Sequence, residues 1–133
     1  MDEPRGRQWI EECPMRILVT GSRAWSDEAT IRRYLQAFHT WVPARLVSGA
    51  CPTGADAIAE SIAAELGWEI ELHPAQWAEH GRAAGFVRNA EMVDLGADLC
   101  LAFIVDHSKG ATMTADRAER VGIRTIRVVT TVA

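Results

Sequence analysis

Leu99-Cys-Leu-Ala-Phe-Ile-Val105 is the longest uninterrupted apolar run of the chain. It is too short to span a bilayer, which takes about 20 residues. Without alternation, it reads as a strand, Asp98 to Val105, covered on both faces, the pattern of a central strand in a parallel sheet. Ser108-Lys-Gly110 follows as a turn, then a helical stretch runs to Val121 with Gly122 as its stop. A buried strand leading through a short loop into a helix is the repeating half of a βαβ unit.

The same alternation recurs on either side. Arg16-Ile-Leu-Val-Thr20 is a second buried-strand pattern, ended by Gly21. Ser26 and Asp27 then offer a helix N-cap, and Ile31, Tyr34, Leu35 and Phe38 recur at helical spacing. Arg45-Leu-Val-Ser48, ended by Gly49, is the next strand; a helix from about Thr53 carries Ile58, Ile62 and Leu66, with Gly67 at its end. Trp68-Glu-Ile-Glu-Leu-His73 alternates, as a strand with one wet face does. A loop with Pro74 and Trp77 leads to a helix over Arg82 to Leu95, closed by Gly96. Arg124 to Val129 is the last strand, its apolar pattern broken by Arg127. Right-handed crossovers then predict an α/β fold: a Rossmann-like three-layer α/β/α sandwich around a mainly parallel five-stranded sheet. Wet strands at the edges and the two most apolar in the centre give the order 3-2-1-4-5. That order reverses direction between the first and fourth strands, and ligands of open α/β sheets bind at such a switch point, beyond the carboxyl ends of the strands.

The 133 residues fit one domain, 16–133, preceded by a polar, flexible extension over 1–15 with Pro4, Gly6 and Pro14. The net charge of −4 weighs against a nucleic-acid partner. Cys13, Cys51 and Cys100 have no CxxC spacing, which argues against a disulfide framework and a zinc site. His39, His73, His80 and His107 show no metal spacing either, and only His80, in the long loop, is singled out for testing. No metal, no cofactor and no membrane segment is expected, and the chain is expected to be cytoplasmic. The five tryptophans leave material for a homodimer interface.

Three strand-to-helix loops hold the small and polar residues of the predicted crevice. The first is Gly21-Ser22-Arg23-Ala24-Trp25: Gly21 permits close backbone approach, and the Ser22 hydroxyl and Arg23 guanidinium suit a phosphate. The alternative is a tight turn with a solvated arginine. The second is Ser48-Gly49-Ala50-Cys51-Pro-Thr53-Gly54-Ala55-Asp56, just before a helix whose free N–H groups suit an anion. Thr53-x-x-Asp56 reads as a capping box, and Asp56 can alternatively bind ribose hydroxyls. Cys51 near a helix start can have a lowered pKa, or is only a small loop residue. The third is Ser108-Lys109-Gly110-Ala111-Thr112, with two hydroxyls, a close-approach glycine and the only lysine. It reads as phosphate-binding, or as an exposed turn with a capping serine. Arg88 and Asn89 lie on the third helix, where an Arg88–Glu91 pair on a solvent face is the plainer explanation.

The ordered set Ile17-Leu-Val-Thr-Gly-Ser-Arg23 with Trp25, Leu46-Val-Ser-Gly49 leading to Gly54-Ala-Asp56, Gly67-Trp68, Pro74-Ala-x-Trp77, Ala84-Gly-x-x-Arg88-Asn89-x-x-Met92, Gly96-Ala-Asp98 and Ala102-Phe103 resembles the YspA-like, cpYpsA-related branch of the SLOG superfamily. The resemblance covers about residues 16–129. It implies a Rossmann-like sheet, a ligand site built from the glycine-containing loops, and a nucleotide or nucleotide derivative as ligand. The superfamily also holds the Lonely Guy phosphoribohydrolases and the Smf/DprA DNA-processing proteins. Lonely Guy enzymes use an arginine in R-K-x-x-M and a glutamate in P-G-G-x-G-T-x-x-E. Arg88-Asn89-Ala-Glu-Met92 keeps the arginine and methionine, but Ala115 stands at the glutamate position, and an alanine moves no proton.

The functional expectation is binding, whether to sense, sequester or process, of a nucleotide-derived molecule at the carboxyl edge of the sheet. The alternative is an N-glycosidic or phosphoribosyl hydrolase, with Arg88, Asp56 or Glu91 as catalytic candidates. A DNA-associated module is disfavoured by charge.

Overall fold

The computed structural model describes residues 15–39, 44–106 and 108–131. The extension over 1–14, with Cys13, and His107 lie outside the described residues. Five strands, β1 (Met15–Gly21), β2 (Ala44–Ser48), β3 (Glu69–Leu72), β4 (Leu99–Val105) and β5 (Thr125–Thr130), form one sheet in the order β3-β2-β1-β4-β5. Every neighbouring pair is parallel. The helices are α1 (Glu28–Ala37), α2 (Ala55–Glu65), α3 (Trp77–His80), α4 (Ala84–Asp94) and α5 (Lys109–Arg120).

Strand alternation builds the three layers. Ile17 and Val19 of β1, with Leu99, Leu101 and Phe103 of β4, turn to α1 and α2 and pack on Ile31, Leu35, Ala59 and Ile62. Leu18 and Cys100 turn the other way, to Met92 and Val93 of α4 and Ala118 of α5. Cys100 is so dry there that its thiol is pushed up to about 12 by burial. Ala102 and Ile104 meet Ala111 and Ala115, so α5 rests on a bed of small side chains. Phe103 anchors the opposite layer, edge-on to Trp25 and Tyr34 with ring centroids 5.3 and 5.9 Å apart.

Local chemistry sets the boundaries. Asp27, not Ser26, caps α1, its carboxylate accepting the Thr30 N–H at 3.1 Å. The N–H groups of Gly67 and Trp68 return to Ala64 and Ala63, a Schellman close that needs the positive φ of Gly67; Gly96 and Gly122 stand at the corresponding positions of α4 and α5. Four expectations shift. β1 begins at Met15. The loop holding Trp77 contains a helical turn, α3, and a 3-10 turn over Gly81–Ala83 precedes α4, which starts at Ala84 rather than Arg82. Lys109 and Gly110 already belong to α5, because Ser108 takes the N-cap position. The capping box at Thr53 and Asp56 does not form, because the N-cap of α2 is Gly54 and no side chain caps it.

The edge β3 is tied to the centre by charge. Arg16 of β1 grips Glu71 of β3 with two bonds of 2.6 and 3.1 Å, and His73 Nε2 lies 2.6 Å from the same carboxylate. Arg16 above all, with help from His73 and against the cost of burial, holds the Glu71 carboxyl down from 4.5 to about 2. A depressed carboxyl stabilises the fold above its unfolded value and loses that contribution as pH falls through the folded value. Acid should therefore weaken the wild-type chain through this group between pH 4.5 and 2. Glu71→Gln should remove about 1 kcal/mol at pH 7 and flatten that limb. Urea titrations across this range check it, and parallel pH profiles for the two chains would refute it.

Candidate functional site

A cleft of about 500 Å³ opens at the carboxyl ends of β1 and β4. Both central strands end here while their helices leave on opposite faces, so the crevice follows from the strand order. Its walls are the loop after β1, the start of α5, Cys51 and Asp56 at the start of α2, and a face carrying Trp77 of α3, Arg82 of the 3-10 turn, and Phe86, Asn89 and Met92 of α4.

In the first loop, Gly21, Ser22 and Arg23 line the cleft. A Cβ on Gly21 would strike Ala55 Cβ and stand 2.7 Å from the Phe103 carbonyl oxygen, so this glycine lets β1 run close beneath α2. Ser22 is buried; its N–H donates to the Phe103 carbonyl at 2.9 Å and its Oγ accepts the Val105 N–H at 2.8 Å. The hydroxyl thus extends the β1–β4 ladder and keeps its own proton to donate. The Arg23 guanidinium is exposed, 5.8 Å from the centre of the Trp77 ring. Trp25 is a core residue outside the lining, its indole N–H bonded to the Asp27 carbonyl at 2.9 Å.

The second loop mostly stands behind the cleft. Gly49, Ala50, Gly54 and Ala55 do not line it. A Cβ on Gly49 would lie 2.7 Å from Arg88 Nη1, so its bareness makes room for that side chain. Ala50 holds a φ of 61°. Gly54 is pressed on the backbone of Ser22 and Arg23, and the Ala55 N–H donates to the Ser22 carbonyl at 3.1 Å, locking the first two loops together. Asp56 does reach the cleft, although it is only 6% exposed. It accepts the Cys51 N–H at 3.4 Å, and burial pushes its carboxyl above the usual range against the pull of that bond and of Arg88. Cys51 also lines the cleft, and burial, then Asp56, raises its thiol. The thiol is thus not activated by the helix start, which fits the reading of Cys51 as a small loop residue.

Arg88 is not on a solvent face. It is 7% exposed, and its Nη1 donates to the Gly49 carbonyl and, at 3.3 Å, to the His73 carbonyl. Its Nε donates to Asn89 Oδ1 at 2.6 Å, and its Nη2 lies 3.9 Å from Cys51 Sγ. The expected Arg88–Glu91 pair is absent from the described contacts, and exposed Glu91 does not line the cleft. Because Nε can only donate, Asn89 turns its oxygen to Arg88 and keeps its amide donors free for the cleft.

In the third loop, Ser108, Gly110 and Ala111 line the cleft, whereas Lys109 and Thr112 do not. The Ser108 hydroxyl makes no capping bond, and the first helical bond there runs from the Thr112 N–H to the Ser108 carbonyl at 3.0 Å. Gly110 and Ala111, which line the cleft, precede that bond and so carry N–H groups without a helical acceptor, the kind an anion site uses. His80 ends α3 outside the lining, 3.9 Å from Glu79. Trp77, which the sequence offers as a base-stacking ring or as a packing residue, lines the cleft and is half exposed, whereas Arg82, Phe86 and Met92 were missed as site residues. Residues 82, 85, 86, 89 and 92 recur at helical spacing, so one stripe carried that signal.

Three arginines, Arg23, Arg82 and Arg88, thus share the cleft with Asp56 and Asp106. Ala115 is fully buried against the sheet, and its neighbour Asp116 is turned to Arg127 at 2.6 Å. Among the described residues there is no cluster of three or more metal-ligating side chains and no helix long and apolar enough to cross a membrane.

The family model of the YspA, cpYpsA-related SLOG proteins matches residues 15–80. The Gene 61 protein of Mycobacterium phage D29 is 39% identical over 117 residues, covering 84% of this chain and 94% of that protein. No solved structure matches the chain. A parallel sheet of this order, with a cleft at its switch point and a relative of this identity along nearly its whole length, places the chain in a family: it belongs to the YspA, cpYpsA-related SLOG family.

Proposed function

We propose that the cleft binds a nucleotide or nucleotide derivative, with its phosphate between Arg23 and the start of α5 and its base against Trp77. The observation that carries this reading is the pairing, in one cleft, of helix-start N–H groups and arginines with an aromatic and apolar wall of Trp77, Phe86 and Met92. The first set suits a phosphate and the second a flat ring. Asp56, dry and raised, fits a neutral or hydroxyl-facing partner such as a ribose. Membership of a nucleotide-related family supports the same ligand class.

Calorimetry over a nucleotide panel tests the reading. Arg23→Ala should weaken binding by about 1.5–3 kcal/mol, the range for hydrogen bonds to charged groups. It should leave stability unchanged, because Arg23 is exposed. Full affinity in this variant would overturn the phosphate assignment.

The hydrolase alternative has weaker support. No carboxylate stands at position 115, and of the three catalytic candidates Glu91 lies outside the cleft. Turnover would fall to Asp56 with Arg88. Incubation with adenosine monophosphate, ADP-ribose or NAD is expected to release no free base.

A further inference from the structure

A second groove of about 310 Å³ runs between α4 and α5. Phe86 and Asn89 line it, and both also line the cleft, so the two spaces share a wall. Its banks leave apolar side chains open: Phe86 is 43% and Met113 51% exposed. Its charges are unequally satisfied. Asp116 is held by Arg127 at 2.6 Å and Arg117 by Asp94 at 2.9 Å, whereas Arg120, at the far end, has no ion pair among the described residues. The groove therefore offers two apolar banks, an open cation and a wall shared with the cleft.

We propose that the ligand has two halves and that the second lies in this groove, which makes it a dinucleotide carrying a terminal phosphate. This rests on the nucleotide reading of the cleft and deepens it. The distance supports it: Gly110 lines the cleft and Arg120 the far end of the groove, ten residues apart on one helix, or about 15 Å at 1.5 Å per residue. A molecule reaching both must span that distance, and the apolar side chains in each space, Trp77 in the cleft and Phe86 with Met113 in the groove, favour two bases over one base with a polyphosphate chain. The first base lies on Trp77, and the linking phosphate lies at the start of α5. The second base lies between Phe86 and Met113, and the terminal phosphate meets Arg120. A partner protein would find the same apolar banks, but the wall shared with the cleft and the open cation favour an anionic small molecule.

Calorimetry with AMP and GMP against the linear dinucleotides pApA and pGpG, and the same dinucleotides without terminal phosphate, tests this. A dinucleotide should bind at least about tenfold tighter than its mononucleotide. Arg120→Ala should abolish the part of that advantage that the terminal phosphate brings. Met113→Ala should reduce the rest, and both variants should bind mononucleotide as the wild type does. Mononucleotide binding with no dinucleotide advantage would overturn the proposal and leave the nucleotide reading standing. Failure of all these nucleotides to bind would overturn both. Light scattering of the same samples adds one more outcome: a dimer that Met113→Glu converts to monomer would assign the groove to a second copy and overturn the proposal.

Discussion

Arg88→Ala should destabilise the fold by about 2–4 kcal/mol, because each buried acceptor left without its donor costs about 1–3 kcal/mol. Two carbonyls are at stake, those of Gly49 and His73, at the ends of β2 and β3. The guanidinium reaches them from α4 and is steadied by Asn89. One side chain therefore fastens a helix on one face of the sheet to the segments just after β2 and β3. Arg88→Lys should recover only part of the loss, since a single ammonium cannot span the fork between Gly49 and Asn89. Urea unfolding measures this directly. A variant as stable as wild type would show that the clamp contributes nothing. Ligand affinity should fall as well, so Arg88→Ala moves stability and binding together, whereas Arg23→Ala moves binding alone.

Gly54→Ala should cost about 3 kcal/mol or more, from strain and overpacking of about 1–3 kcal/mol each. Gly54 has φ 78° and ψ −151°, a region that side chains essentially exclude. A Cβ there would also strike the Ser22 carbonyl oxygen and the Arg23 backbone, neither of which can swing away. The first loop would be displaced with its arginine, so unfolding would shift and ligand affinity would drop together. Gly110→Ala is the control. The nearest atom to its new Cβ is Asn89 Nδ2 at 3.8 Å, and its place within α5 should make it neutral or stabilising by about 0.5–1 kcal/mol. Equal stability of Gly54→Ala and wild type in urea would refute the packing role.

The strand order was legible because burial on both faces leaves Leu99 to Val105 without a polar residue, whereas Trp68 to His73 alternates and stands at the edge; there, however, Ile70 and Leu72 are exposed and Glu71, held by Arg16, is the more covered. The position of the cleft followed from that order. What each loop glycine does was not legible. Gly49 and Gly54 look like ligand-facing glycines, yet they accommodate Arg88 and the first loop, and those neighbours come from distant parts of the chain. Arg88 misled for the same reason. Its local partner, Glu91, was visible in the sequence, while the carbonyls it bonds lie 39 and 15 residues away. Periodicity says which face turns inward and not what it meets there. The stripe through Arg82, Phe86 and Asn89 was readable as a face, but its aim at the cleft depends on the break at Gly81.

The pairing of β1 with β4 has a consequence for the order in which the chain assembles. Ile17 lies beside Leu99, and the ladder continues to Gly21 beside Phe103. Two walls of the cleft thus come from strands made far apart in the order of synthesis. A chain still emerging from the ribosome can form β1, β2 and β3 with their helices, but it has no cleft until β4 enters the sheet and α5 folds over it. Such distant pairings close late and slowly. A molecule that occupies the cleft can therefore hold only a chain in which β4 has joined the sheet, and by mass action it favours that step.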